Sequence, residues 1–262
     1  MSDQEIDNSR VEVRSYFVRH RNALLVRAEL SPIYVDYYLH LMQHSLKPSP
    51  EDDAMMKDAL AAMVLHATSK PWKQTSAWTL HFEDPLLNLF VTGDSVGEYV
   101  VGRVFSDGVK EKGSGLFYSQ TMSPQDPARQ SNIEITGRDV FSAVEHYYDR
   151  SEQLRARIFR YSEEDIVMIS AQPQCDLEWL ESLDVKAVRS LDQQEELSLL
   201  ESRQFRFNCG CSVDKVFPAL VPVIERDGLE AFFAGDAFLK TDCPRCGATF
   251  QITREDVEAF LD

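Results

Sequence analysis

The stretches FNCGCSVDK (207–215) and KTDCPRCGATF (240–250) hold four of the five cysteines of this 262-residue chain. The four form two tight pairs, C-x-C at Cys209 and Cys211 and C-x-x-C at Cys243 and Cys246. Zinc favours four sulfur ligands in a tetrahedral arrangement, and each pair can aim two sulfurs at one ion. The 31 residues between the pairs suffice for a helix and a returning strand that bring them together. We therefore predict one Zn²⁺ per chain, bound by all four cysteines in the reduced state.

The surroundings of the C-x-x-C pair argue against an enzyme that uses these thiols. In a thioredoxin-like oxidoreductase this pair opens a helix, whose N-terminus lowers a thiol pKa. Here the pair runs into GATFQIT (247–253), which alternates like a strand, and helix signals resume only at Thr253 and Asp256. A hydrolytic zinc centre needs an open coordination position, usually with histidine or carboxylate ligands. All six histidines precede residue 150 and four thiolates close the site, so we predict that the protein is not an enzyme.

A closed four-thiolate site has two uses that the ligands alone do not distinguish. One is a purely structural module. The other is an oxidation sensor, because zinc keeps the sulfurs deprotonated and the thiolate is the form that oxidants attack. Disulfide formation between neighbouring cysteines would expel the ion and remove the folding energy that it supplies, on the order of 10 kcal/mol in small zinc domains. The two uses differ in how readily an oxidant removes the metal.

Composition limits the partners and the compartment. A formal net charge of -16 repels phosphate backbones and anionic membranes, which argues against a nucleic-acid-binding zinc ribbon. The basic cluster VRHRN (18–22) is expected at an exposed strand end or turn. No apolar run reaches the roughly 18 residues of a membrane span. The polar, acidic segment 1–10 does not resemble a secretory signal, so we expect a reducing, cytoplasmic location and neither membrane nor nucleic-acid partners.

Residue patterns predict an α+β fold in three parts. Residues 1–172 are expected to form an N-terminal core with an antiparallel sheet and packed helices. Residues 173–203 are expected to form a helical linker, and residues 204–262 a small C-terminal zinc-binding domain.

Alternating apolar and polar residues predict the strands of the core. They are one or two strands over 11–30, about three antiparallel strands over 77–108, a short strand at 116–120 inside a polar connection, and one strand over 163–173.

Helical spacing and end signals predict three helices in the core. The first is SPIYVDYYLHLMQH (31–44). The second has Ser49 as its N-cap and Pro50 at its first position, and its apolar residues recur at Met56, Leu60, Met63 and Ala67. The third begins near Thr136, whose spacing to Asp139 is that of a capping box, and its expected apolar face is Val140, Val144, Tyr147, Leu154 and Ile158.

The linker segment 173–203 is acidic, lacks glycine and favours helix. Its apolar residues suffice for one shallow face: Trp179, Leu180, Leu183, Leu197 and Leu200. One interpretation is a pair of helices packed on the core, and the other is a marginally stable switch segment that depends on docking for its order. Trp179 is the candidate anchor to the core. The remaining cysteine, Cys175, is interpreted as a partly buried, inert thiol.

The order C-x-C, about thirty residues, then C-x-x-C at the C-terminal end resembles the heat shock protein 33 family of redox-regulated chaperones. Residues 58–104 are similar to a helix and the core strands of that family, and HYYDRSEQLRARI (146–158) is similar to a further helix. FNCGCS (207–212) and CPRCGATFQIT (243–253) resemble the ends of its zinc domain. The resemblance covers nearly the whole chain. Pro218 and Pro222 depart from it, because they are expected to interrupt a helix after the C-x-C pair.

The resemblance implies an activity that no spacing reveals: an ATP-independent holdase that is inactive while reduced and zinc-bound. Oxidation would pair Cys209 with Cys211 and Cys243 with Cys246, zinc would leave, and the C-terminal domain and linker would unfold. Apolar surface would then bind unfolding client proteins, and the activated form would be a homodimer. The alternative is a non-catalytic interaction protein with a purely structural four-cysteine zinc site.

Overall fold

Residues 10–261, which the computed structural model describes, form a ten-stranded sheet with helices on both faces and a separate two-stranded sheet near the C-terminus. In spatial order the strands of the large sheet are β7 (Arg129–Ile135), β6 (Gly115–Met122), β3 (Thr75–Glu83), β4 (Leu86–Asp94), β5 (Tyr99–Phe105), β10 (Leu197–Phe207), β1 (Val11–Val18), β2 (Ala23–Glu29), β9 (Asp165–Ala171) and β8 (Ala156–Arg160). The α+β prediction is confirmed. The predicted limits at residues 1 and 262, and the polar segment 1–9, lie outside the described residues.

Strand β10 joins the two halves of the large sheet. It pairs antiparallel with β1 from Val11 opposite Phe205 to Val18 opposite Leu197. At its other edge, Arg206 and Phe207 pair in parallel with Tyr99 and Val100 of β5. The strands β3 to β7 lie on one side of β10, and β1, β2, β8 and β9 lie on the other. The large sheet is therefore continuous only through a strand that comes from the end of the predicted linker.

The core helices are α1 (Ser31–Gln43), α2 (Pro50–Ser69) and α3 (Val140–Tyr147), the last followed by a π-helical turn at Tyr148–Glu152. Helix α2 begins as predicted, because the Ser49 side chain accepts a hydrogen bond from the Asp52 amide. The predicted apolar residues Met56, Leu60, Met63 and Ala67 are all buried. Burial extends around nearly the whole helix after its first turn, so α2 is the central helix of the core rather than a surface helix.

Two glycines let α2 approach the sheet closely. A Cβ atom added at Gly93 would lie 2.9 Å from Met63, and one added at Gly102 would lie 2.5 Å from both Met56 and the carbonyl oxygen of Phe90. At Gly102 the backbone oxygen of Phe90 leaves no room for a side chain, and at Gly93 a side chain would have to displace Met63 of α2.

Two predictions for the segment after β6 were wrong. Residues Arg129–Ile135, expected to be largely a connection, form β7, which is an exposed edge strand with a polar sequence and therefore a weak apolar alternation. Helix α3 starts after Asp139, whose side chain accepts from the Ser142 amide, rather than near Thr136. The helix has ended before Leu154, and Ile158 lies in β8.

The predicted linker is only partly helical. Its helices are short: α4 (Leu177–Ser182), α5 (Val185–Arg189) and α6 (Leu191–Gln194). Residues 197–203, expected to be helical, instead belong to β10. Pairing with β1 overrides the local helix preference of this segment, since propensity is a weak guide where tertiary hydrogen bonds are available.

The C-terminal unit contains α7 (Val213–Asp227), α8 (Leu229–Phe233), β11 (Phe238–Asp242), β12 (Thr249–Thr253) and α9 (Arg254–Leu261). Contrary to the prediction, Pro218 and Pro222 do not interrupt α7. The two prolines are four residues apart on the exposed side, where water can satisfy the carbonyl groups that lose their partners. Phe217 and Ile224 on the other side are buried in a small separate core, and this burial offsets the lost hydrogen bonds.

Arg203 fixes β10 to the end of α2. Its guanidinium donates to the carbonyl oxygens of Ala67 (2.7 Å) and Lys70 (2.8 Å), at the C-terminal end of the helix. It also pairs with Glu201 at 2.6 Å and lies over the Trp72 ring. The side chain is only 2% exposed. These contacts satisfy carbonyl groups that a helix end leaves without partners.

We expect the substitution Arg203→Met to lower the free energy of unfolding by about 2 to 4 kcal/mol, because buried carbonyl groups lose a charged donor. Arg14→Met is the matched control, since Arg14 of β1 lies opposite Ser202 of β10 but is exposed. It should change stability by no more than about 0.5 kcal/mol. Urea denaturation of both variants measures the difference, and equal unfolding free energies would contradict the assignment.

Candidate metal centre

The C-x-C pair follows directly from the end of β10. Phe207, the last residue of that strand, packs its ring against Tyr37 and His40 of α1, with centroid distances of 5.4 and 5.3 Å. Cys209 comes two residues later. Gly210, between the two cysteines, has a φ of +60°, a conformation that favours glycine and turns the chain so that Cys211 points back toward the same point. The large sheet therefore fixes the position of this half of the centre.

The C-x-x-C pair lies in the turn between β11 and β12, as predicted. The two strands pair antiparallel from Phe238 opposite Thr253 to Asp242 opposite Thr249. The Cys243 amide donates to the Ala248 carbonyl oxygen at 2.8 Å, and the Gly247 amide donates to the Cys243 carbonyl oxygen at 2.9 Å. Thr253 and Asp256 then begin α9 with reciprocal backbone-to-side-chain hydrogen bonds. The turn is thus held between two regular elements, and it does not open a helix.

The four sulfur atoms come together in one cluster. All four lie within 4.8 Å of one another. The Sγ atoms of Cys209 and Cys243 are 3.6 Å apart, and those of Cys211 and Cys246 are 3.5 Å apart. A tetrahedral ion with metal–sulfur bonds of about 2.3 Å would place its sulfurs about 3.8 Å apart. All four cysteines are free thiols, and their spacing fits one metal ion of that size.

The electrostatics of the cluster favour a cation. Hydrogen bonds from the neighbouring thiols, first that of Cys246, lower the pKa of Cys209 to about 5, and the nearby Arg245 guanidinium acts in the same direction. Burial raises the pKa of Cys211 to about 12. The pKa of Cys246 is also raised, because its proton is shared with Cys209 and because the thiol is desolvated. Adjacent thiolates repel, and a divalent ion at their centre is what would allow all four to ionise together.

Side chains of the core contact the peptide groups of the C-x-x-C turn. His40 Nε2 lies 2.9 Å from the carbonyl oxygen of Cys246, and Arg103 Nη1 donates to that of Cys243 at 3.0 Å. Cys243 and Cys246 are buried and belong to the same apolar cluster as α1, α2 and the sheet. Neither His40 nor Arg103 was found from the sequence, because they lie 206 and 140 residues from their partners and form no local motif.

The other residues singled out from the sequence lie away from this cluster. Cys175 is partly buried against the apolar cluster between the linker and the sheet, and burial raises its pKa, which fits an inert thiol. Trp179 is partly buried there with the Arg21 guanidinium 5.5 Å from its ring, as expected of an anchor between linker and core. Among the six histidines, His66 of α2 is also remote from the cluster: it is buried, and its ring nitrogens are hydrogen-bonded to Tyr148 and Ser76 at 2.8 and 3.2 Å.

The basic cluster at 18–22 lies in the turn between β1 and β2, as predicted, and it also binds the linker. Arg21 donates to Asp176 at 2.7 Å and to Glu195 at 2.8 Å. These carboxylates come from the two ends of the segment that carries α4 to α6. The acidic character of the linker is therefore matched in part by a basic turn of the core, which the sequence does not reveal.

Comparison with known proteins agrees with this combination of fold and centre. A crystal structure of the 33 kDa chaperonin (heat shock protein 33 homolog) of Thermotoga maritima superposes on 97% of this chain and 98% of its own, with a TM-score of 0.72 at 12% identity, so the two share a fold. The 33 kDa chaperonin of Aliivibrio salmonicida is 26% identical, with 91% of this chain and 92% of the relative covered. That of Proteus mirabilis is 23% identical, with coverage of 95% and 96%.

These similarities place the chain among α+β proteins of the chaperone class. A family model described as Hsp33 protein matches residues 38–253, a range that includes all four clustered cysteines. The chain belongs to the Hsp33 family. Within residues 10–261, no helix is both long and apolar enough to cross a membrane.

We expect each of the substitutions Cys209→Ser, Cys211→Ser, Cys243→Ser and Cys246→Ser to abolish tight binding of one metal ion per chain, because a missing thiolate opens the tetrahedron. Cys175→Ser is the matched control and should leave the metal content unchanged. Elemental analysis of protein purified under reducing conditions measures the stoichiometry. Full metal content in any of the four cluster variants would contradict the ligand assignment.

Proposed function

We propose that this protein is a redox-regulated, ATP-independent holdase chaperone whose four clustered cysteines bind Zn²⁺ in the reduced state. Membership of the Hsp33 family and the name 33 kDa chaperonin of the relatives support a chaperone. The observation that carries the regulatory part is the path of the chain. The strand that delivers Cys209 is the same strand that leaves the linker, so loss of order at the metal centre acts directly on β10.

The switch step is an oxidation of four thiolates to two disulfides with release of the ion. Formation of each disulfide from two thiolates releases two electrons. One molecule of hydrogen peroxide accepts them with two protons to give water, or one molecule of hypochlorous acid accepts them with one proton to give chloride and water. By family resemblance the pairs are Cys209 with Cys211 and Cys243 with Cys246. In the reduced structure the close contacts of 3.6 and 3.5 Å join sulfurs of different pairs. Closure within each pair brings its two sulfurs to about 2.05 Å and withdraws them from the ion. Oxidation would thereby remove the folding energy that the ion supplies and disorder the C-terminal unit.

An apolar face of the sheet lies beneath the linker and is the proposed client surface. The sheet contributes buried residues of β1, β2, β8 and β9, namely Val18, Ala23, Leu25, Phe159, Val167, Ile169 and Ala171. The linker covers them with Leu180, Leu183, Val188 and Leu191. Strand β9 is buried on both faces, so removal of the linker would expose a continuous apolar patch. Patches of this kind mark sites of protein binding.

The linker helices depend on docking for their order, which suits a segment that must detach from the sheet. Tyr161 donates from its hydroxyl to the Val188 carbonyl oxygen at 2.6 Å, and Arg157 donates to the Glu181 carbonyl oxygen at 3.0 Å. The helices beneath these contacts have four to six residues, too short to be stable without docking.

The remaining parts of the proposal follow from the family and the composition. The partners are unfolding client proteins, the activated form is a homodimer, the compartment is the cytoplasm, and no catalysed reaction is involved. A purely structural zinc site in an interaction protein is the second candidate. The path of β10, which runs from the linker to Cys209, favours the switch over this candidate, because it connects the metal centre to the linker.

Treatment with hydrogen peroxide or hypochlorous acid should release zinc, consume four thiols per chain and produce suppression of client aggregation. Zinc release is followed with a chromogenic chelator, thiols with a colorimetric reagent, and aggregation by light scattering of a heat-denatured client. Cys175→Ser should behave like the wild type in all three. Zinc release without any gain of holdase activity would sink the switch, and resistance to both oxidants would favour the structural alternative.

The substitution Leu180→Asp should make the reduced, zinc-bound protein an active holdase without oxidant. A carboxylate at this fully buried position undocks the linker from the sheet, because an unpaired buried charge is strongly unfavourable. Leu177→Asp on the same helix is the matched control, since Leu177 is 47% exposed, and it should remain inactive until oxidised. Equal inactivity of the two reduced variants would contradict the proposed client surface.

A further inference from the structure

The carbonyl oxygens of both cysteines in the C-x-x-C turn are bound by side chains of the core. The donors come from two separate elements, His40 on α1 and Arg103 on β5. A carbonyl oxygen can only accept, so His40 must carry its proton on Nε2 to bond Cys246 at 2.9 Å. These two contacts hold the outer side of the turn, while its two sulfur atoms face the thiols of Cys209 and Cys211.

His40 touches both halves of the centre. Besides its bond to Cys246, its ring packs at 5.3 Å from that of Phe207, the residue two positions before Cys209. Tyr37, one helical turn earlier on α1, packs on the same phenylalanine ring. A single face of α1 therefore aligns the end of β10 with the C-x-x-C turn.

Arg103 is held in place to meet Cys243. Its guanidinium lies 4.2 Å from the centroid of the Phe105 ring, which restricts its orientation. The carbonyl oxygen that it binds also accepts the Gly247 amide, so the two donors use both lone pairs of this oxygen and tie the closed turn to β5. Gly247 fits closely here, since an added Cβ would lie 3.2 Å from Leu46 and 3.5 Å from Arg103.

We propose that His40 and Arg103 are positioning residues that hold the C-x-x-C turn in its metal-binding geometry, so that docking of this turn on the core and metal affinity are coupled. The coupling is reciprocal by thermodynamic necessity: a docked turn binds the ion more tightly, and a bound ion strengthens docking. Arg103 adds a cation beside a centre that carries two net negative charges when four thiolates hold a divalent ion. The inference deepens the proposed function, because it names the core residues that set the affinity of the switch for its ion.

The test is the zinc affinity of the reduced, full-length protein, measured by competition with a chromogenic chelator. We expect His40→Phe and Arg103→Met each to weaken zinc binding by about tenfold, the scale seen when groups that orient metal ligands are removed. His40→Gln should recover most of the loss, because its amide nitrogen can reach the position of Nε2. Arg103→Lys should recover part of it, because the charge remains without the guanidinium geometry.

Matched controls separate this effect from a general loss of charge or ring. His146→Phe and Arg129→Met change an exposed histidine and an exposed arginine on α3 and β7, and their zinc affinity should equal that of the wild type. Hydrogen exchange of the Gly247 amide gives a second readout, and it should be faster in Arg103→Met and Arg103→Lys than in either control. Far-UV circular dichroism establishes which variants fold. If His40→Phe or Arg103→Met does not fold, the conservative variants His40→Gln and Arg103→Lys still decide the test.

Wild-type zinc affinity in both His40→Phe and Arg103→Met would overturn the proposal, and so would an equal loss in the control variants. The measurement uses neither oxidant nor client protein. Failure of the proposed chaperone switch would show as absent holdase activity in the oxidised wild type, with the zinc affinities of the variants still deciding the role of His40 and Arg103.

Discussion

The double pairing of β10 is the constraint on which the rest of the structure depends. One edge of this strand is bonded along its length to β1, and the other meets β5 only at Arg206 and Phe207. The same strand carries the buried Arg203, which binds the end of α2, and it delivers the chain to Cys209. Sheet continuity, helix capping and ligand placement thus share one set of backbone hydrogen bonds. A structural change in β10, either at Leu197 beside the linker or at Phe207 beside the cysteines, therefore affects both halves of the sheet.

Local chemistry made much of this predictable. The cysteine spacing, the turn between β11 and β12, and the N-cap of α2 at Ser49 depend on residues close in sequence, and the structure agrees with each. The α+β class and the core strands followed from alternation over segments that are buried on one or both faces. Where the structure of a segment is determined by residues close in sequence or by a regular apolar pattern, that structure was predictable from the sequence.

The errors share one physical feature, which is that tertiary contacts outweigh local sequence preference. Residues 197–203 were predicted to be helical but form part of a strand, because β1 offers hydrogen-bond partners almost 200 positions away. The edge strand β7 lacks a clear apolar pattern because one face is exposed and only Ile133 and Ile135 supply apolar side chains to the other. Pro218 and Pro222 were expected to interrupt α7, but burial of Phe217 and Ile224 outweighs two missing donors. His40 and Arg103 left no trace in the local sequence, since their role exists only once α1 and β5 meet the C-x-x-C turn.

The linker helices and the C-x-x-C turn contact different parts of the core. The linker helices pack on β1, β2, β8 and β9, whereas the C-x-x-C turn rests on α1 and β5. Substitutions in the strands beneath the linker leave the residues around the cysteines unchanged. Substitutions in α1 or β5 beneath the C-x-x-C turn leave the strands beneath the linker unchanged. If the protein acts as the proposed redox-regulated chaperone, its oxidant threshold and its range of clients are set by separate surfaces. Either property can then change during evolution without the other, provided that β10 continues to connect them.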